Sequence, residues 1–305
     1  MVLDQATAGF LATMGESDAK PTHECTPEEA RSSSANLAEL YGSGPEMNRV
    51  EEASVQDGEV PIRLLVPTGH PRGLIVYYHG GGWVIADIDE FDTLGRELAA
   101  RSGFAVALVN YRKAPEHPYP AAVHDAWAGL EWAAKQQESI AGSGPLVVAG
   151  DSAGGNLAAI VARQARDSGG PRIDAQVLVY PVTDCDLDTG SYLDPENQLM
   201  LQRRTMIWFW DRYLPDAVAR TDPDASPLRA AECDGLPPAV VVLAEHDVLR
   251  DEGASYAAKL RQAGVPVRER VFAGQMHGFF QMINLLPAST DAVDHVAATL
   301  NEQFG

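Results

Sequence analysis

The chain has 305 residues, 45% hydrophobic and 22% charged, enough to bury a large core as one domain with decorations or two at most. Its 43 acidic residues outweigh 23 Lys and Arg, and the formal charge of -20 excludes a nucleic-acid stripe and disfavours anionic membrane surfaces. Three scattered cysteines, Cys25, Cys185 and Cys233, offer neither a disulfide framework nor a metal site.

The opening residues carry no basic leader, and no apolar run reaches the roughly 18 residues of a spanning helix, so a cytoplasmic protein is expected. Helical patterns over 2–14 and 27–41 begin the chain. The second starts at Thr26-Pro27-Glu28-Glu29, an N-cap followed by proline and first-turn acids. The break at 42–45 separates a 1–45 helical segment from a 46–305 domain. Strand-like runs follow at 47–55 and 59–66, polar enough for a sheet edge, and at 73–79, apolar enough for its middle. Helix and strand then alternate: helices over 91–101, 120–138, 155–167, 251–263 and 287–303, strands over 104–109, 145–149, 175–180, 238–244 and 267–272. The fold class is α/β, a mainly parallel sheet wrapped by helices. The stretch 183–236 is too long for a connection, carries a helix around 203–214, and is expected to wall a substrate site. Leu199, Met200, Met206 and Trp208 within it, with Trp83, are the candidate pocket residues, although such side chains more often serve as packing.

At Gly150-x-Ser152-x-Gly154 a buried strand turns sharply into a helix. Glycines flank a turn this tight because a Cβ on either side would collide, and the serine hydroxyl is thereby held at a helix N-terminus, a seat suited to a nucleophile. The likeness of GDSAGG to the GDSGG of chymotrypsin-like proteases is superficial, since those are all-β and carry the serine last. A second motif, Tyr77 to Trp83 (YYHGGGW), closes another buried strand. Its glycines Gly80, Gly81 and Gly82 let backbone N–H groups approach a developing oxyanion, together with that of Ala153. Two of the three suffice, and Gly81 and Gly82 are the choice. The acid and the histidine should follow in that order, each on a loop after a strand, which selects Asp247 and His277. Glu245 lies too close to its strand, Asp251 and Glu252 fall at the next helix start, and Asp151 precedes the serine.

These blocks, with YRKAPEHPYPAAVHDAWAGL and AEHDVLRDE, resemble in order those of the hormone-sensitive-lipase-like (class IV) carboxylesterases over roughly residues 60–280. The resemblance implies an α/β-hydrolase fold with a cap built from 1–45 and 183–236. It further implies a Ser152–His277–Asp247 triad, a small-molecule ester substrate of short to medium acyl chain, no cofactor, and either a monomer or a homodimer joined near strand 267–272. Asn110 and Lys113 depart from the family pattern, where an acid and an apolar residue are usual. Rival readings are an amidase or peptidase on the same triad, a non-catalytic ligand-binding relative, and a scaffolding protein; the intact triad and paired glycine turns argue against the last two.

Overall fold

The computed structural model describes residues 2–15 and 20–305; residue 1 and residues 16–19 of the expected 1–45 segment lie outside it. Helix α1 runs over Gln5–Gly15 and α2 over Pro27–Ala38. At the start of α2 the Thr26 hydroxyl accepts the Glu29 N–H and the Glu29 carboxylate accepts the Thr26 N–H, so two first-turn amides find partners reciprocally. The helix ends three residues before the expected 41 because the chain tightens into a 3₁₀ turn over Glu39–Tyr41. Arg31 ties α2 down, donating to the carbonyls of Val84 at 2.8 Å and Ala114 at 3.0 Å and pairing with Glu116.

Eight strands form one sheet: β1 (Arg49–Val55), β2 (Val60–Val66), β3 (Leu74–Tyr78), β4 (Ala105–Val109), β5 (Leu146–Asp151), β6 (Ala175–Val179), β7 (Ala239–His246) and β8 (Val267–Met276). Their order is β1-β2-β4-β3-β5-β6-β7-β8; β2 is antiparallel to both neighbours, and every pairing from β4 to β8 is parallel. Successive side chains point to opposite faces, and the apolar ones divide accordingly. Leu74, Val76 and Tyr78 of β3 join a core with α4 (Ala121–Ala141), α5 (Ala153–Ser168) and α8 (Arg250–Gln262). Ile75 and Tyr77 join the opposite core with α3 (Asp92–Ser102) and α9 (Pro287–Phe304). Each fully buried Leu or Val contributes about 1.5–3 kcal/mol, which is why the central strands are apolar on both faces.

The strand order reverses beside β3, and Tyr78 pairs with Gly150 there, so the glycine loop after β3 and the serine turn after β5 lie side by side at the carboxyl edge. In the 183–236 interval lie α6 (Gly190–Leu193) and α7 (Arg203–Tyr213). The Trp208 indole of α7 donates to the Cys25 carbonyl at 3.2 Å, seating α7 on the N-terminal segment. No helix among the described residues is long and apolar enough to cross a membrane.

Candidate active site

Ser152 leaves β5 with φ 55° and ψ -118°, a backbone region that costs a non-glycine residue strain and persists only where its surroundings enforce it. Its N–H donates to the Val179 carbonyl at 2.9 Å, and its own carbonyl accepts the N–H groups of Asn156 and Val182. A Cβ on Gly150 would strike the backbone of Gly154, and one on Gly154 the carbonyl of Tyr78, so the turn tolerates only glycine at both places. The buried Asn156 side chain donates to the carbonyls of Val182 and Ala225, fastening the first turn of α5 to the chain beyond β6.

His277, just past β8, brings Nε2 to 3.0 Å from the Ser152 hydroxyl oxygen and Nδ1 to 2.8 Å from Oδ2 of Asp247. The buried Asp247 carboxylate also accepts the Leu249 N–H at 2.9 Å through Oδ1, which fixes its orientation. A carboxylate opposite Nδ1 requires the proton on that nitrogen and leaves Nε2 to accept from the serine hydroxyl. The ring of Tyr180 packs on the imidazole with centroids 4.6 Å apart.

The other acids have different partners. Glu245 accepts the Gly274 N–H at 2.7 Å, and Asp251 accepts the Ser191 N–H at 2.7 Å, tying α6 to α8. Glu252, expected at a helix start, lies in the first turn of α8 and is buried; it accepts the N–H groups of Thr183 and Asp184, and burial pushes its carboxyl well above the usual range. Asp151 points away from the serine, and its Oδ1 accepts both the Tyr77 hydroxyl and the Gly80 N–H at 2.9 Å. Burial pushes its carboxyl up to about 6 against the lowering effect of those bonds.

That last contact corrects the inclusion of Gly80 among the candidate oxyanion donors, because its N–H is engaged by Asp151. The Gly80 carbonyl accepts from Nδ1 of His79 at 2.7 Å, and the Tyr111 hydroxyl donates to the His79 carbonyl at 2.8 Å. Burial holds the His79 imidazole down at about 3, so it is neutral at any working pH. The Gly81 carbonyl accepts the N–H groups of Val84 and Ile85, closing the loop on itself. Among the described residues the N–H groups of Gly81, Gly82 and Ala153 have no backbone acceptor outside regular elements, that of Ala153 being the first of a helix and without an intrahelical one. Asn110 and Lys113, the two departures from the family pattern, meet each other: the ammonium donates to the Asn110 amide oxygen at 3.0 Å.

The five candidate pocket residues are not brought together on one wall. Trp83 is fully buried and stacks on Tyr213 at 4.1 Å, and Met206 and Trp208 pack in the same core. Leu199 and Met200 are half-buried against the opposite core. The side chain that lies on the glycine loop is Phe209, whose ring a Cβ on Gly82 would overlap. Phe209, Tyr180 and the role of Asp151 escape a reading of the sequence, since each acts on residues far away in the chain. A groove of about 830 Å³ between α4 and α5, lined by His124, Trp127 and Arg163 among others, contains none of the site residues. No group of three or more potential metal ligands occurs among the described residues.

A mainly parallel sheet bearing a serine on a strained strand-to-helix turn, with a glycine loop at its side, defines an α/β hydrolase. The family model described as "alpha/beta hydrolase fold" matches residues 75–281, and the chain belongs to that family. It is 41% identical to the carboxylic ester hydrolase LipN of Mycobacterium tuberculosis over 80% of this chain and 67% of that protein. With the ethyl acetate hydrolase of Pseudomonas putida it shares 34% identity over the full length of both. The solved structure of a thermostable esterase from Pseudomonas putida is similar at a TM-score of 0.91 and 34% identity, over 100% of this chain and 98% of that one.

Proposed function

We propose that this hydrolase is a serine carboxylesterase, with Ser152 as nucleophile, His277 as general base and acid, and Asp247 as the group that orients the imidazole. The observation that carries the reading is the unbroken chain of contacts, 3.0 Å from serine to imidazole and 2.8 Å from imidazole to carboxylate. The Ser152 proton passes to Nε2 as the oxygen attacks the ester carbonyl, and the resulting imidazolium is stabilised by Asp247. The N–H groups of Gly81, Gly82 and Ala153 receive the oxyanion. Collapse of the tetrahedral intermediate breaks the bond to the alcohol, which takes the proton from Nε2. Water then gives a proton to the same nitrogen as it attacks the acyl carbon, and collapse of the second intermediate releases the acid while Nε2 returns that proton to the Ser152 oxygen.

In this reading the 1–45 and 183–236 segments form a cap, and the substrate is a small ester. Ser152 is only 6% exposed and Phe209 sits on the glycine loop, which favours short to medium acyl chains over lipid aggregates. Ser152→Ala is expected to lower kcat on a soluble aryl butyrate by on the order of 10⁶ while the fold persists. An acyl series from acetate to palmitate, with an aryl amide as control, tests the substrate class. Retained turnover in Ser152→Ala, or an amide cleaved as fast as the ester, would overturn the proposal.

A further inference from the structure

The N-terminal helix is fastened to the strand end that carries His277. Asp4 precedes α1 and accepts the N–H groups of Ala6 at 2.8 Å and Thr7 at 3.0 Å through Oδ1, which caps the helix. Its other oxygen accepts the Thr7 hydroxyl at 2.7 Å and the side-chain amide of Gln275. The Thr7 hydroxyl also lies 3.1 Å from the Gln275 amide oxygen, and both Thr7 and Gln275 are buried. The Asp4 N–H reaches the Gly274 carbonyl at 3.3 Å, a close approach that a Cβ on Gly274 would obstruct. On the far side, Glu245 holds the Gly274 N–H. Gln275 lies two residues before His277, and Glu245 two before Asp247.

A surface helix needs none of this to be stable. Buried polar side chains are costly unless every one is satisfied, so a closed network of this kind fixes one arrangement in preference to nearby ones. What it fixes is the seat of α1, whose Phe10 and Leu11 pack against the core that holds Tyr180, Phe279 and Phe280. Tyr180 in turn touches the His277 ring. Burial alone would raise the Asp4 carboxyl, but the bonds from Thr7, Gln275 and Ala6 outweigh it and hold the group below its ordinary value.

We propose that Asp4, Thr7 and Gln275 form a latch that couples the seating of cap helix α1 to the ends of β7 and β8. They are positioning residues that hold α1 against the strand ends leading to Asp247 and His277. The inference rests on the esterase reading above. Cutting the latch lets α1 lift, which weakens substrate binding and leaves the reacting groups in place.

The test compares Gln275→Glu, which sets two carboxylates against each other, with the same variant carrying Asp4→Asn as well. In the double variant an amide donates where a carboxylate accepted, and the Thr7 hydroxyl keeps an acceptor. Losing a charge-assisted bond should raise KM for an aryl butyrate by about tenfold in Gln275→Glu, with kcat within about threefold, and the double variant should restore KM. Loss of folded protein alone would lower the apparent kcat without moving KM. Should Gln275→Glu not fold, Asp4→Ala is read in the same way. An unchanged KM, or a double variant no better than the single, overturns the latch. Hydrogen exchange of the α1 amides reads the latch without turnover: protection lost in Gln275→Glu and regained in the double variant supports it, and unaltered protection overturns it. If the wild type hydrolyses no ester, the esterase reading fails, and exchange still decides the latch.

Discussion

Asp247 and Asp251 are chemically alike and lie four residues apart, yet they are bonded to different parts of the molecule. Asp247 faces the His277 ring, whereas Asp251 holds the Ser191 N–H. Asp247→Asn should therefore lower kcat by about 10⁴, because an amide opposite Nδ1 favours the wrong tautomer. Asp251→Asn should leave kcat near the wild-type value and reduce stability by about 1 kcal/mol, since it weakens one hydrogen bond to a charged group. Steady-state kinetics and denaturant melts on the matched pair decide between them, and reversed effects would mean that the acid lies elsewhere. Asp151 has a third office at this scale. By engaging the Gly80 amide and the Tyr77 hydroxyl it ties the start of the glycine loop to the end of β5.

The glycine loop and α7 form a unit that no local pattern announces. Gly82 has φ +57° and lies under the Phe209 ring, so Gly82→Ala adds both backbone strain and an overlap. Its kcat is expected to fall by about 10²–10³, the scale of a lost oxyanion donor. Relieving the overlap with Phe209→Ala in addition should recover only part of this, because the strain stays; full recovery would show that crowding alone was at fault. Strands and turns were legible in the sequence wherever a local rule operates, as in the unbroken apolar run of β3 or the paired glycines about Ser152. The end of β8 was not: the expected stop at 272 precedes Gly274, which reads as a breaker, but pairing resumes past an irregularity and reaches Met276 opposite His246. The Asp151 contact with Gly80 was equally hidden, because it exists only once β3 and β5 lie side by side. For the same reason the expected pocket wall is dispersed, since apolar content says which side chains are buried and not which core they join.

Over the whole molecule, buried acids and paired acids give stability opposite slopes with pH. Burial pushes Asp151 up to about 6, Glu90 up to about 7 and Glu252 well above its usual range, so the folded chain binds more protons than the unfolded one, and stability falls as pH rises from the ordinary carboxylate range through these raised values. Glu116, held down at about 2 by its bond with Arg31, works the other way, and its contribution is lost as pH falls towards that value. The thermal midpoint is therefore expected to peak near pH ~5 and decline towards pH 8. Glu90→Gln should shrink that decline, as scanning calorimetry across the range would show; an equal decline in the variant would remove Glu90 from the account. The contact of Phe209 with Gly82 ties two properties together in descent with modification. On the esterase reading, a lineage that trims Phe209 to admit larger esters also loosens the loop proposed to meet the oxyanion, and so trades speed for breadth. Leu199 and Met200, which pack against the other core, lie outside that bargain.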